Sequence, residues 1–153
     1  VCAGVLRTIS SVLHRKELDD IISIEMKTLH STKAAPGADS GAVLSRAAVR
    51  AARFLDLSQA DLAAVIGLSG ATLSRLANGQ KQLEAGSKPW QLAALFVRLF
   101  RSLDAIVGSD DAAARAWLRS ENAALGGVPF ELIRDPAGLV RAVDYLDAAR
   151  ARI

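Results

Sequence analysis

Apolar side chains recur at helical spacing along most of the chain, and short stretches rich in Gly, Pro, Ser and Asp interrupt them. Val5, Ile9, Val12, Leu13, Leu18, Ile21 and Ile22, with Arg15, Lys16, Glu17, Asp19 and Asp20 between them, predict an amphipathic helix over 1–25. Residues 31–41, STKAAPGADSG, read as a linker. A helix over 42–55 follows. Its inward positions are Val43, Leu44, Ala47, Ala51, Phe54 and Leu55, and Arg46, Arg50 and Arg53 share the opposite face. Two short helices with a tight turn fill 58–78, and a second linker spans 80–89. A strongly apolar helix covers 90–107, and further helices are expected over 110–119, 129–134 and 136–151. No internal repeat is present. Val, Ile and Thr form no alternating runs, so the pattern predicts an all-α fold.

The segment Gln59 to Asn78 carries helix-turn-helix grammar. Ser58 is an N-cap, and Asp61 three residues on completes a box-like cap. Leu62 and Ile66 lie one turn apart on a single face. Ala63 occupies the point of closest helix approach, where only a small side chain fits. Gly67 permits the left-handed backbone that stops the first helix, and Leu68 plugs the turn. Ser69 caps the second helix, Leu73 and Leu76 point to the core, and Asn78-Gly79 ends it. The alternative reading is an ordinary helical hairpin, and the arginine face of the preceding helix weighs against it.

A second helix of this kind lies in the major groove of DNA. It would expose Gly70, Ala71, Thr72, Ser74, Arg75 and Asn78. Arg75 is the candidate for a bidentate guanine contact, with Thr72 and Asn78 as weaker base contacts. Ser58, Gln59, Ser69, Lys81 and Gln82 are cast as phosphate contacts that set register. Residues 42–86 hold five basic and three acidic side chains, a net of +2. That is thin for tight binding by one copy, and Gly70 and Ala71 offer no long side chain to the bases. Two copies on a two-fold symmetric operator are therefore expected.

Within 90–107 only Gln91, Arg98, Arg101 and Ser102 form a polar strip. Such a helix is covered on several sides: one side by its own domain, the other by a second subunit or by the rest of its own core. Downstream, Gly126-Gly127 breaks the chain, Pro129 suits a first helical turn, and Asp135-Pro136 is a cap followed by proline. Leu139, Val143 and Leu146 form the inner face of the last helix, and Arg150 and Arg152 lie at its exposed end.

The order of a helix-turn-helix, an apolar helix and two short patterns resembles the Xre/MbcA/ParS antitoxins over residues 43–152. The first pattern is Trp117-Leu118, Asn122, Leu125-Gly126-Gly127, Pro129 and Leu132. The second is Asp135-Pro136, Gly138, Val143 and Tyr145-Leu146. The resemblance implies the antitoxin of a toxin–antitoxin pair. Its partner would be a RES-domain toxin that degrades NAD or transfers ADP-ribose from it. The carboxy-terminal domain would cover the toxin's NAD cleft, and the amino-terminal part would bind the operon's own promoter. The expected division is 1–41 as a helix and linker of unassigned role, 42–86 as the DNA-binding domain and 87–153 as the dimerisation and toxin-binding domain. Asn122, Phe130, Arg150 and Arg152 are the candidate toxin-binding residues. The two arginines are chosen because a cleft built for pyrophosphate attracts arginine. Asn122 and the glycines read first as structural, Phe130 as either core or contact, and Trp117 as core. A repressor without a toxin partner is the alternative function.

Composition narrows the remaining classes. Hydrophobic residues make up 51% of the 153, enough for a real core, while aromatic residues are 5%. A single cysteine, Cys2, excludes an internal disulfide. With His14 and His30 it forms no metal-ligand spacing. There is no Gly-rich phosphate loop, no HExxH and no nucleophile with a partnered histidine, so neither an enzyme nor a cofactor is expected. Asp110-Asp111 reads as a helix start rather than a catalytic pair. No apolar run reaches the ~18 residues of a membrane span, and no signal-peptide pattern leads the chain, so a cytoplasmic location is expected. The net charge of +3 permits a nucleic-acid partner. The sole methionine is Met26, so Met26-Lys27 is a candidate start, with a processed or truncated amino terminus as the alternative.

Overall fold

The computed structural model describes residues 38–152, and the helix expected over 1–25 lies outside them. Seven helices follow in order: α1 Ala38–Phe54, α2 Gln59–Ile66, α3 Gly70–Ala77, α4 Lys88–Ile106, α5 Asp111–Arg119, α6 Pro129–Leu132 and α7 Pro136–Arg150. Among the described residues there is no strand, only an isolated antiparallel bridge between Asn122 and Gly127. The fold is all-α.

Local chemistry explains where most helices start and stop. Ser58 and Asp61 form the reciprocal capping box of α2, and Gly67 ends that helix at φ 71°. Ser69, Ser87, Asp110 and Asp135 each accept a backbone N–H at the start of α3, α4, α5 and α7. Pro129 and Pro136 occupy first turns, where a missing N–H costs nothing.

α4 is the axis of the molecule. It packs on α1 and α2 along one side and on α7 along the other. Leu92, Phe96, Leu99, Phe100 and Leu103 are all buried, and they share one continuous core with Leu44, Leu55, Leu62, Ile66, Leu73, Leu118, Leu139, Val143 and Leu146. Each such side chain contributes about 1.5–3 kcal/mol by leaving water. The Ala47, Ala48, Ala51, Ala52 stripe of α1 is nearly inaccessible and lets neighbouring helices approach closely.

Two features differ from the sequence reading, and a third decides between alternatives it left open. α1 begins at Ala38, so the last residues of the expected linker are helical. Gly41 is there for proximity: a Cβ would lie 2.1 Å from the Leu83 carbonyl oxygen. Ser102 is not on an exposed polar strip but fully buried, with its hydroxyl donating to Asp147. The side of α4 considered for a second subunit is occupied by α7 of the same chain.

Candidate nucleic-acid and partner interfaces

The axes of α2 and α3 meet at 109°, within the range of about 90–120° usual for a helix-turn-helix. Leu68 packs against the core beneath the turn, and Leu73 and Leu76 anchor the inner face of α3. The opposite face is open. Gly70, Ala71, Arg75 and Asn78 are exposed, while Thr72 and Ser74 are half-buried. No carboxylate among the described residues pairs with Arg75 or Lys81. The Arg75 carbonyl accepts from the backbone N–H of both Gln80 (2.8 Å) and Lys81 (3.2 Å), so the segment after α3 is pinned to the helix that would read bases.

The candidate phosphate contacts separate by what they already do. Ser58 lends its hydroxyl to the capping box, donating to Asp61 at 2.6 Å. Ser69 accepts from the Thr72 N–H and donates to the Thr72 hydroxyl at 2.9 Å, which also ties down Thr72. Gln59, Lys81 and Gln82 are exposed.

The carboxy-terminal segment is fastened to this unit by arginines. Arg115 donates to the Phe54 carbonyl at 2.8 Å and Arg119 to the Asp56 carbonyl at 2.9 Å, just where α1 ends and Asp56 turns to φ 55°. Arg134 reaches the Asp61 carboxylate at 2.8 Å and Glu131 at 3.3 Å. Phe130 lies between two of them, with the Arg134 guanidinium 4.5 Å and that of Arg119 5.3 Å from its ring centre. The bonds from Ser58, first its side chain and then its backbone, together with Arg134, hold the Asp61 carboxyl below the ordinary aspartate value despite some burial.

Family comparison resolves what this pairing is. Residues 34–98 match the Antitoxin Xre-like helix-turn-helix domain, and residues 102–152 match the Antitoxin Xre/MbcA/ParS C-terminal toxin-binding domain. The chain belongs to the Xre/MbcA/ParS antitoxin family. It carries both the helix-turn-helix and the toxin-binding domain of that family, joined through α4. No curated protein matches the chain. No single described helix is long and apolar enough to cross a membrane, and no group of three or more His, Cys, Asp or Glu among the described residues is placed to hold a metal ion.

The four candidate toxin-binding residues of this antitoxin-family chain are not gathered in one place. Phe130 packs on Arg134, just ahead of α7, whereas Arg150 and Arg152 lie at the far end of that helix, which is about 20 Å long at 1.5 Å per residue. Asn122 does structural work: its side chain accepts from the Ala124 and Leu125 N–H groups, and its backbone exchanges bonds with Gly127. Phe130 is half-buried in the arginine pair. Arg150 lies 3.9 Å from Asp147, and Arg152 is exposed. Trp117 is half-buried and stacks on Tyr145 at 6.3 Å; Tyr145 and Val140 are the exposed large hydrophobic residues among those described.

Sequence reasoning missed a partly buried polar knot between α4 and α7. Asp147 accepts from the Ser102 hydroxyl and from Arg98 Nε at 2.8 Å. Burial alone would raise this carboxyl, but the Ser102 and Arg98 bonds outweigh it and hold it below the ordinary value. Arg115, Arg119 and Arg134 were missed as well. Their partners are 61–73 residues away in sequence, beyond the reach of any local pattern.

Proposed function

We propose that the chain is the antitoxin of a type II pair whose partner is a RES-domain, NAD-consuming or ADP-ribosylating toxin, and that it represses its own operon as a homodimer. The observation that carries the reading is the open outer face of α3, with Arg75 unpaired, in a chain that continues into a toxin-binding domain. Arg75 reads a guanine, with Thr72, Ser74 and Asn78 beside it, while Ser58, Gln59, Ser69 and Lys81 set the register on phosphates. On the partner side Arg150 and Arg152, at the tip of α7, enter the anion-binding NAD cleft. Phe130 and the Asn122 turn support contacts at the other end of the same domain. Gly70 and Ala71 leave the start of α3 without long side chains, which supports binding by two copies on a symmetric site.

The test is co-expression with the NAD-acting toxin encoded beside it. Growth and cellular NAD should recover, and the two chains should co-purify; arrest that persists with both proteins present overturns the antitoxin assignment. On the operon's promoter, Arg75→Ala should weaken specific binding by about 1–3 kcal/mol. Unchanged binding in an anisotropy titration would remove α3 from the role of reader.

A further inference from the structure

A groove of about 300 Å³ opens between α1 and the segment that follows α3. Ser45 and Arg46 line one wall, and Gly79, Gln80, Lys81 and Gln82 the other. No acidic side chain lines it. Arg46 and Lys81 are both exposed, and no carboxylate among the described residues pairs with either. We infer that this groove is a phosphodiester seat, in which Arg46 and Lys81 grip the DNA backbone beside the base-reading helix; the inference rests on the DNA-binding reading above.

Three observations support it. First, the walls are held in place. The Ser45 hydroxyl donates to the Gly41 carbonyl at 2.6 Å and accepts the Leu83 N–H at 2.9 Å, which docks the far wall onto α1. Two unpaired cations carried on walls whose backbones are docked together lose less freedom on gripping an anion than two on mobile loops. Second, the seat is in register with α3, because the Arg75 carbonyl holds the Gln80 and Lys81 N–H groups. A helix in the major groove has a sugar-phosphate strand running beside it. Third, the approach is unobstructed. A Cβ built on Gly79 would meet nothing within 4 Å, which leaves room for a polymer backbone to lie against the turn. The arginine face read from the sequence divides accordingly: Arg46 lines the seat, Arg50 is half-buried and engaged elsewhere, and Arg53 does not line it.

A phosphate seat carries no sequence information, so its signature differs from that of Arg75. The experiment measures binding of the full chain to the promoter duplex and to a scrambled duplex across a salt series. Arg46→Gln and Lys81→Gln should each weaken both duplexes by a similar factor of about 3–10 and flatten the slope of log K against log[salt] by about 0.9. Arg141→Gln, an exposed position on α7 with the same charge change, should alter neither. An unchanged slope for Arg46→Gln, or an equal effect of Arg141→Gln, overturns the seat while leaving α3 as reader. Equal wild-type binding to an RNA duplex of the same sequence overturns the assignment to DNA. A wild-type chain that binds no duplex overturns both this inference and the DNA-binding reading.

Discussion

Asp61 joins the two halves of the molecule, and removing its charge should be felt in both. Its carboxylate accepts the Ser58 N–H at 3.0 Å, the Ser58 hydroxyl at 2.6 Å and the Arg134 guanidinium at 2.8 Å. Asp61→Asn keeps the shape and removes the charge. A carboxylate in the first turn of a helix is worth about 0.3–1 kcal/mol through the helix dipole. A partly exposed ion pair adds about 0.2–1 kcal/mol. This pair belongs near the top of that range, because Phe130 and Glu131 already hold Arg134 in place and little freedom remains to be lost. Together they give about 1–2 kcal/mol, or roughly 3–8 °C in Tm for a domain of this size. The assay is urea and thermal unfolding followed by circular dichroism, for wild type, Asp61→Asn, Arg134→Ala and the double variant. The two substitutions should be non-additive by about 0.5–1 kcal/mol. The folded-state pKa is depressed, so the charge stabilises above the ordinary aspartate value of 3.8 and its contribution is lost as pH falls through the lower folded value. The wild-type advantage should therefore be full near neutrality and vanish in strong acid. Strict additivity, or an advantage that persists in strong acid, would refute the argument that Arg134 fastens the toxin-binding domain to the cap of α2.

Other perturbations probe the close approaches. Gly138→Ala places a Cβ 2.1 Å from the Leu132 carbonyl oxygen, a backbone atom that cannot swing aside, and should cost about 1–3 kcal/mol or more, read as a lower urea midpoint. Ser45→Ala strands the Leu83 N–H and should cost about 1–3 kcal/mol, with faster hydrogen exchange at that amide. Asp147→Asn should lower Tm at neutral pH. Because Ser102 and Arg98 depress the Asp147 pKa, the gap from wild type should close as pH falls through that lowered value.

What was legible in the sequence was whatever chemistry acts within about four residues. The capping box at Ser58 and Asp61, the left-handed Gly67, the cap at Ser69 and the Asp-Pro start of α7 obey rules that need no knowledge of the rest of the chain. The burial of Leu73, Leu76, Leu139 and Leu146 followed from helical spacing. Where the reading departs from the structure, a distant segment decides. Gly41 reads as the end of a linker and is a helical contact point for Leu83, 42 positions on. Ser102 looked like surface and is drawn inward by Asp147, 45 residues away. Phe130 could be either core or contact by its type alone; Arg119 at the end of α5 and Arg134 in the turn before α7 hold it between those states.

The charge count carries little information for the same physical reason. A net of +3 describes a weakly basic chain and says nothing of where free charge sits. In the folded molecule Arg98, Arg115, Arg119 and Arg134 are each committed to a carboxylate or a carbonyl, and all belong to α4 or the segments after it. They act as internal fasteners and contribute little field to the surface beyond their partners. Arg46, Arg75 and Lys81 are uncommitted and lie on or beside the helix-turn-helix, while among the described residues Arg53, Lys88, Arg101, Arg141 and Arg152 are uncommitted as well. A polyanion approaching α3 meets three of these unneutralised cations, where a groove and an open helix face stand side by side. Neutralising one committed arginine should therefore change stability more than DNA affinity, and neutralising an uncommitted one the reverse. Arg115→Gln compared with Arg46→Gln, each measured by urea midpoint and by duplex affinity, decides the matter: equal effects on affinity would mean that total charge, not its placement, governs binding.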